Sequence, residues 1–273
     1  MQETMTVNEK GHLVIGGCDV VDLVREFGTP LYVVDEDQVR LQCRKYLRAF
    51  AKHYANGEVI YAGKALLNVA MCRLIDEEGL SLDVVSGGEL YTAVRAGFPR
   101  ERIYFHGNNK SSDELRMGIE YGVRRFVVDS LQELYELNRL ARPADKKVGI
   151  YLRITPGVEA HTHHYIRTGQ RDSKFGFDIT DGVALHAVRE ALACDSVVLS
   201  GFHCHIGSQI FDVEPFRQAV NVMFDFMHDV RAATGFTAAE LDVGGGMGIR
   251  YTESDTPLEP EVYVRELAAA VLT

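Results

Sequence analysis

The 273-residue chain lacks several features that mark whole classes of protein. It has no apolar run of the roughly 18–20 residues that span a bilayer, so we expect no membrane anchor. It has no block of lysines or arginines and a formal charge of −10, which argues against sequence-independent nucleic-acid binding. Its first residues form neither a basic nor an apolar leader segment, so no secretory signal is expected.

The chain also has few cysteines and no clustered metal-ligand pattern. Five cysteines are scattered along it and none forms a C-x-x-C pair, so we predict no structural zinc site and a reducing cytoplasmic location. Cys204 lies between two histidines, but on a strand it points away from both, which favours a buried structural thiol. The H-x-H-H cluster at residues 161–164 lacks the acidic pattern of zinc proteases. We therefore predict that the protein binds no metal.

What the chain does contain is a regular alternation of short apolar runs and helical segments. Capping boxes at Ser111/Glu114 and Ser130/Glu133 open two of the predicted helices. The apolar runs are nearly continuous, as in parallel strands that are covered on both faces, and the repeat predicts a parallel α/β architecture. Seven such runs occur, at residues 58–62, 80–85, 102–105, 125–129, 148–154, 197–203 and 239–243.

Two regions depart from this repeat. Residues 31–34 predict a strand and residues 37–53 predict a long helix, and both precede the regular alternation. We therefore expect the first part of the chain to belong partly to another module. Residues 151–180 are the longest irregular insertion, and long ordered loops of this kind are often functional.

Polar side chains gather where the predicted strands end, which is where the active site lies in a parallel α/β barrel. Lys64 ends one strand and is either a solvated surface lysine or, in a partly desolvated cleft, a nucleophilic amine. His205 is either a satisfied core histidine or, beside Gly207 and Ser208, a ring-stacking or hydrogen-bonding group. Further strand-end groups are Asp83, His106, Asp129 and Arg153.

A glycine-rich turn follows the last predicted strand, at residues 244–248 (G-G-G-M-G). Glycines there let backbone amides approach an anion, and barrels bind phosphate in the loops after their seventh and eighth strands. A tight turn is the alternative. The patterns of a Walker A loop and of a dinucleotide-binding Rossmann turn are both absent. Together with Lys64, a phosphate site suggests a Schiff base to pyridoxal phosphate.

Seven segments carry a resemblance to one family. They are residues 61–65 (Y-A-G-K-A), 82–90 (L-D-V-V-S-G-G-E-L), 106–110 (H-G-N-N-K), 155–163 (T-P-G-V-E-A-H-T-H), 173–177 (S-K-F-G-F), 203–209 (H-C-H-I-G-S-Q) and 244–246 (G-G-G). The chain resembles the diaminopimelate decarboxylase family, in the alanine-racemase-like barrel class of pyridoxal-phosphate enzymes. The resemblance covers essentially the whole chain.

This resemblance implies a TIM-type (β/α)8 barrel and the decarboxylation of meso-2,6-diaminopimelate to L-lysine, the last step of lysine biosynthesis. It implies that Lys64 holds pyridoxal phosphate as a Schiff base and that His205 stacks on the pyridine ring. We assign Lys64 and His205 as catalytic. As cofactor-binding residues we assign Lys64, Asp83, Arg153, His205, Ser208, Gly244, Gly245 and Gly246.

Parts of the family pattern are missing. The E-P-G-R segment of the eighth strand has no counterpart, because Glu259-Pro260 is followed by Glu261-Val262 and then by a helical stretch. We expect about seven of eight barrel strands in residues 37–273, with residues 1–36 forming the N-terminal segment of a mostly missing β-domain. The chain is then a fragment of a longer product, and the resemblance implies a homodimer for the complete protein.

Other functions stay open at this point. Within the same class of enzymes, the substrate is alternatively ornithine, arginine or carboxynorspermidine. A non-catalytic pyridoxal-phosphate-binding protein on a similar barrel is shorter and lacks a β-domain, which fits the chain length. An inactive regulatory homologue is a third alternative, against which the presence of Lys64 weighs.

Overall fold

The computed structural model describes residues 4–144, 147–158 and 174–272, and its helices and strands alternate as the sequence predicts. The strands are β1 (Met5–Val7), β2 (Leu13–Ile15), β3 (Cys18–Asp19), β4 (Ile60–Ala62), β5 (Ser81–Val84), β6 (Ile103–Phe105), β7 (Arg125–Val128), β8 (Val148–Thr155), β9 (Phe177–Asp178), β10 (Val197–Cys204) and β11 (Glu240–Asp242). The α-helices are α1 (Val20–Phe27), α2 (Glu36–His53), α3 (Val69–Glu77), α4 (Gly87–Ala96), α5 (Ser112–Tyr121), α6 (Leu131–Ala141), α7 (Val183–Ala193), α8 (Glu214–Thr234) and α9 (Pro260–Leu272).

Seven parallel strands form the main sheet, in the order β11-β10-β8-β7-β6-β5-β4, and the short strand β9 pairs with the end of β8. All seven predicted runs are strands of this sheet, so the predicted α/β barrel class and strand number are confirmed. Because neighbouring strands are parallel and joined through helices, all their carboxyl ends lie at one edge. Within the described residues, β4 and β11 each have one strand neighbour.

The main hydrophobic core lies between this sheet and the helices that follow its strands. Alternate strand residues point outward to the helices, as the two-residue period of a strand requires. Leu82, Ile103, Phe105, Phe126 and Leu152 are almost completely buried there. Each such side chain contributes about 1.5–3 kcal/mol relative to an exposed position. This layer holds the strand ends in fixed relative positions.

Helices α2 and α9 lie side by side and connect the two ends of the sheet. Ala49 of α2 and Tyr263 of α9 share a second apolar cluster with Phe216 of α8. Lys52 forms an ion pair with Glu261, and the Tyr46 hydroxyl donates to the Met247 sulfur at 3.3 Å. Since α2 leads into β4 and α9 follows β11, this packing brings the first and last strands of the sheet towards each other. Among the described residues, no helix combines the length and the apolar character needed to cross a membrane.

The two predicted capping boxes have different outcomes. Ser111 and Glu114 cap each other's backbone amides as predicted. Ser130 accepts a hydrogen bond from the Glu133 amide, but the Glu133 side chain does not return to Ser130. It accepts from the Asp129 amide instead and is buried beside Lys110. The predicted hydrogen bond from the Ser130 amide to the Glu133 side chain is therefore wrong. The buried ammonium group of Lys110 is a stronger partner for the Glu133 carboxylate than the cap amide is.

The strand predicted at residues 31–34 is wrong. These residues form no ladder, and Leu31, Tyr32, Val33 and Val34 are exposed. A strand needs a neighbour for its backbone hydrogen bonds, and an apolar run by itself supplies none. The N-terminal segment forms instead a small antiparallel sheet, β1-β2-β3, followed by α1, whose residues are all at least partly exposed.

Candidate functional site

The glycine-rich turn lies directly after β11 and packs backbone to backbone against the loop after β10. Gly244 and Gly246 have φ angles of +68° and +116°, which favour glycine. A Cβ at Gly244 would stand 2.5 Å from the Cys204 carbonyl oxygen, and one at Gly246 would collide with the Gly207 carbonyl. A Cβ at Gly245 would meet nothing within 4 Å. The turn therefore needs two of its glycines for packing, while the third faces open space.

His205 and Ser208 follow β10 and lie beside this turn. The His205 ring contacts the Gly244 position through Nδ1 and forms a hydrogen bond with the Gly245 backbone. Burial lowers the pKa of His205 to about 4, with contributions from the charges of Lys64 and Arg153. His205 is thus an uncharged imidazole at neutral pH. Ser208 is exposed at the same loop.

Lys64 lies on a short 3-10 turn, Gly63–Ala65, directly after β4. Lys64 is exposed, and its charge helps to lower the pKa of His205 and opposes the rise in the pKa of Asp83 that burial causes. Gly63 allows this turn because a Cβ there would stand 2.7 Å from the Asp83 carbonyl oxygen. The structure thus brings Lys64 from one end of the sheet to His205 and the glycine turn at the other end.

Four polar side chains, of which His203 is buried and the others partly buried, lie together at the strand ends near Lys64. Nε2 of His106 lies 3.7 Å from Oδ1 of Asp83 and 3.9 Å from Oδ2 of Asp242. The rings of His106 and His203 meet edge to face, with centroids 4.6 Å apart. His106, His203 and Asp242 offer one possible metal-ligand atom each within 4.8 Å of one another. The absence of a metal stays a prediction from the sequence.

Burial shifts the pKa values of all four side chains in this cluster. It lowers the pKa values of His106 and His203 well below the usual range, so both imidazoles are neutral. It raises the pKa of Asp83 well above the usual range, helped by the charge of Asp242. It also raises the pKa of Asp242 to about 6, against a hydrogen bond from the Gly244 amide at 2.8 Å. Burial therefore favours the uncharged form of all four side chains.

Arg153 points from β8 into the same side of the sheet. Nη1 lies 3.2 Å from Oδ2 of Asp129, and the guanidinium packs 4.3 Å from the centroid of the Phe175 ring. The other Asp129 oxygen accepts from the Gly176 amide at 2.6 Å. Burial lowers the pKa of Arg153, although Asp129 opposes that effect. Arg153 is thus a fixed cation at the wall of the pocket.

The model of one protein family matches most of the chain. Residues 37–273 match the model for "Pyridoxal-dependent decarboxylase, pyridoxal binding domain". The chain belongs to the pyridoxal-dependent decarboxylases. Membership in this family implies pyridoxal phosphate as the cofactor, as the sequence predicts.

Two relatives of this pyridoxal-dependent decarboxylase domain are diaminopimelate decarboxylases. The protein from Bacillus subtilis is 50% identical over 268 residues, and that from Halalkalibacterium halodurans is 52% identical over 271 residues. Each alignment covers 98% of this chain but 61% of the relative, so the chain spans about three fifths of their length. A solved diaminopimelate decarboxylase from M. jannaschii, in complex with L-lysine, has a TM-score of 0.91 and 35% identity, covering 99% of this chain and 63% of that one.

Sequence reasoning missed part of the decarboxylase pocket. The sequence pattern marks Asp242 only as one residue of the apolar run 239–243, although a carboxylate two residues before three glycines is a usable signal. Cys204 is buried in the core, with its pKa raised to about 12 by burial, which confirms the predicted structural thiol. Residues 161–164 lie outside the described residues.

Proposed function

We propose that this chain forms the cofactor-binding part of an enzyme that converts meso-diaminopimelate into L-lysine and carbon dioxide. The observation that carries the proposal is the meeting of Lys64, His205 and the 244–246 turn at one edge of the sheet. The family match and the names of the relatives support the same reaction. L-lysine, the ligand of the M. jannaschii enzyme, is the product of this reaction.

The described residues fit pyridoxal phosphate in three respects. Lys64 is an accessible amine at the mouth of the pocket. The open space in front of Gly245 leaves room for a phosphate group at a turn of backbone amides. Oδ1 of Asp83 and Nδ1 of His203 are buried without a hydrogen-bond partner in the described structure, as expected of a pocket that a polar ligand completes.

Each residue then has a defined task. When bound, pyridoxal phosphate supplies an electron-withdrawing ring that accepts the electron pair left by the departing carboxylate. Lys64 would hold the cofactor through Nζ. His205 would pack as a neutral ring against the cofactor, and Ser208 and residues 244–246 would bind its phosphate.

Asp83 and Arg153 are two further ionisable side chains that would line the cofactor site. The ion pair with Asp129 holds the Arg153 guanidinium in one orientation, so its positive charge would face the bound cofactor from a fixed position. Oδ1 of Asp83 lies 3.7 Å from Nε2 of His106, and burial raises the pKa of the Asp83 carboxyl group well above its usual range. The reaction breaks one carbon–carbon bond, releases carbon dioxide and adds one proton to the same carbon.

The organisation of the complete protein is part of the proposal. We infer that residues 1–36 belong to a β-domain and that residues 37–273 form the cofactor-binding barrel. The exposed apolar side chains at residues 31–34 support this division, because they offer a surface for further chain to cover. We also infer a homodimer and a cytoplasmic location.

Borohydride reduction of the cofactor–protein adduct tests the role of Lys64. Pyridoxal phosphate mixed with the complete protein should leave a reduced adduct on the peptide that contains Lys64, and Lys64→Ala should remove it. Lys147→Ala, at the opposite end of the sheet, is the matched control and should retain the adduct. An unchanged adduct in Lys64→Ala would show that another amine holds the cofactor.

Carbon dioxide release tests the substrate. The complete protein should release it from meso-diaminopimelate at least a hundredfold faster than from ornithine or arginine at equal concentration. Faster release from ornithine or arginine would replace the proposed substrate within the same class. Cofactor trapping on Lys64 without release from any of these amino acids would instead support the non-catalytic alternative.

A further inference from the structure

Lys110 is buried beneath the strand ends, where the proposed function gives it no task. It follows β6 in the 106–110 segment, and its side chain is 1% exposed. Nζ forms an ion pair with Oε1 of Glu133 at 2.8 Å, and the Glu133 side chain is 7% exposed. A buried charge pair is costly to desolvate and is weak evidence for stability alone.

The ammonium group of Lys110 also joins two strand ends. It donates to the Gly107 carbonyl at 2.6 Å and to the Val127 carbonyl at 2.9 Å. Gly107 follows His106 at the end of β6, and Val127 lies in β7. One side chain thus holds the end of β6 against β7 directly below the pocket. Together with the ion pair to Glu133, these two hydrogen bonds surround the ammonium group with three oxygen atoms.

Glu133 continues this chain of contacts towards the pocket wall. Its Oε2 accepts from the Asp129 amide at 3.1 Å. Asp129 in turn binds Arg153 through Oδ2 and the Gly176 amide through Oδ1. Every member of the path from Lys110 to Arg153 is less than one-eighth exposed. A displacement at Lys110 therefore reaches both His106 and Arg153 through contacts of hydrogen-bond length.

We propose that Lys110 and Glu133 are positioning residues, which hold the ends of β6, β7 and β8 so that His106 and Arg153 face the cofactor in a fixed geometry. This inference rests on the proposed function, because Lys110 and Glu133 are proposed to orient the side chains of the cofactor site. Neither residue touches the cofactor in this proposal. Their effect passes through Gly107, Val127 and Asp129 to the pocket side chains.

The decisive variant replaces the pair by apolar side chains of similar size, Lys110→Met with Glu133→Leu. Buried ion pairs replaced in this way often keep or gain stability, so the fold is expected to survive. We expect the dissociation constant for pyridoxal phosphate to rise about tenfold in the complete protein, and the visible circular dichroism band of the bound cofactor to change in amplitude. Glu136→Gln, on the same helix but in an exposed pair with Arg139, should leave both unchanged.

The proposal is overturned if the folded double variant binds pyridoxal phosphate with wild-type affinity and shows an unchanged dichroism band. A pair with a purely structural role would affect only stability. If the double variant does not fold, Glu133→Gln decides, since it keeps the side-chain shape and removes the charge. We expect it to weaken cofactor binding about threefold, and no change would again overturn the proposal. Failure here with Lys64-dependent trapping intact refutes only this inference, whereas loss of that dependence refutes the proposed function.

Discussion

A Cβ atom at Gly244 would stand 2.5 Å from the carbonyl oxygen of Cys204, closer than Cβ atoms approach other groups in proteins. The loops after β10 and β11 therefore touch through their backbones. Ile210 donates to the Gly246 carbonyl at 3.0 Å, and Gly248 donates to the Ile210 carbonyl at 2.8 Å, which extends the contact. Glycine is required at this crossing irrespective of any ligand.

The first prediction separates packing from ligand binding within the glycine turn. Gly245→Ala should leave the free energy of unfolding within about 0.5–1 kcal/mol of wild type, since its methyl group enters open space. It should weaken binding of pyridoxal phosphate at least tenfold, measured by fluorescence titration. Gly244→Ala is the matched comparison and should destabilise the cofactor-free protein by about 1–3 kcal/mol. Unchanged cofactor affinity in Gly245→Ala would support a tight turn without a phosphate site.

The second prediction concerns the neutral imidazole of His205. Its pKa falls from 6.5 in the unfolded chain to about 4 in the folded protein. The unfolded state thus binds more protons between these values, and stability is gained as pH rises from 4 to 6.5. The stability of wild type relative to His205→Gln should increase by about 3 kcal/mol over this window.

Urea unfolding of the cofactor-free protein between pH 4 and 7 measures this difference. The exposed His186→Gln substitution on α7 is the control and should follow the wild-type curve. A constant difference between wild type and His205→Gln across the window would show that His205 is not desolvated as described.

The third prediction concerns Asp242, whose pKa shift makes stability fall rather than rise with increasing pH. The pKa of Asp242 rises from 3.8 to about 6 on folding, because the carboxyl group is buried. Its contribution to stability is present below pH 3.8 and is lost as pH rises through 6. Asp242→Asn should therefore gain about 3 kcal/mol on wild type between pH 4 and pH 8 in the same urea experiment. A relative loss of stability with rising pH would contradict a buried, protonated Asp242.

These two groups act in opposite directions over nearly the same pH range. Their two contributions to the stability of the wild-type protein therefore largely cancel. Only the variants separate the two contributions, because each removes one titration and leaves the other.

The fourth prediction concerns Glu240, at the end of β11 away from the pocket. It accepts from the Tyr151 hydroxyl at 2.7 Å and from Nε of Arg125 at 3.0 Å, and it lies 3.6 Å from Nη2 of Arg124. Glu240→Ala removes these contacts, although Arg124 keeps its ion pair with Glu58, and it should cost about 2–4 kcal/mol of unfolding free energy. Cofactor affinity should stay within twofold of wild type. A large loss of affinity without a loss of stability would show that this network belongs to the site.

The sheet was predictable because its strands are continuous apolar runs, which is a local property of the sequence. The run at residues 31–34 has the same character and forms no strand, since pairing depends on a neighbour that the local pattern does not reveal. Glu133 shows the same limit for a side chain. Its spacing from Ser130 predicts a capping box, but a lysine 23 residues earlier draws the carboxylate into the interior.

Within the site, Lys64, His205 and the glycine turn were predictable because each occupies a strand end in a recognisable motif. Asp242 was not, because a single carboxylate in an apolar run has no periodic signature. Its importance follows only from its distance to His106, which the topology of β6 and β11 determines.

Lys64 and the 244–246 turn are about 180 residues apart in sequence and lie at opposite ends of the hydrogen-bonded strand order, yet they serve one pocket. In the folded sheet, five strands separate β4 from β11. Contacts between distant parts of a chain form slowly, since the entropy of closing the loop must be lost first. Capture of the cofactor is then a late event in folding, and the rate at which refolding protein acquires visible absorbance reports completion of the whole sheet.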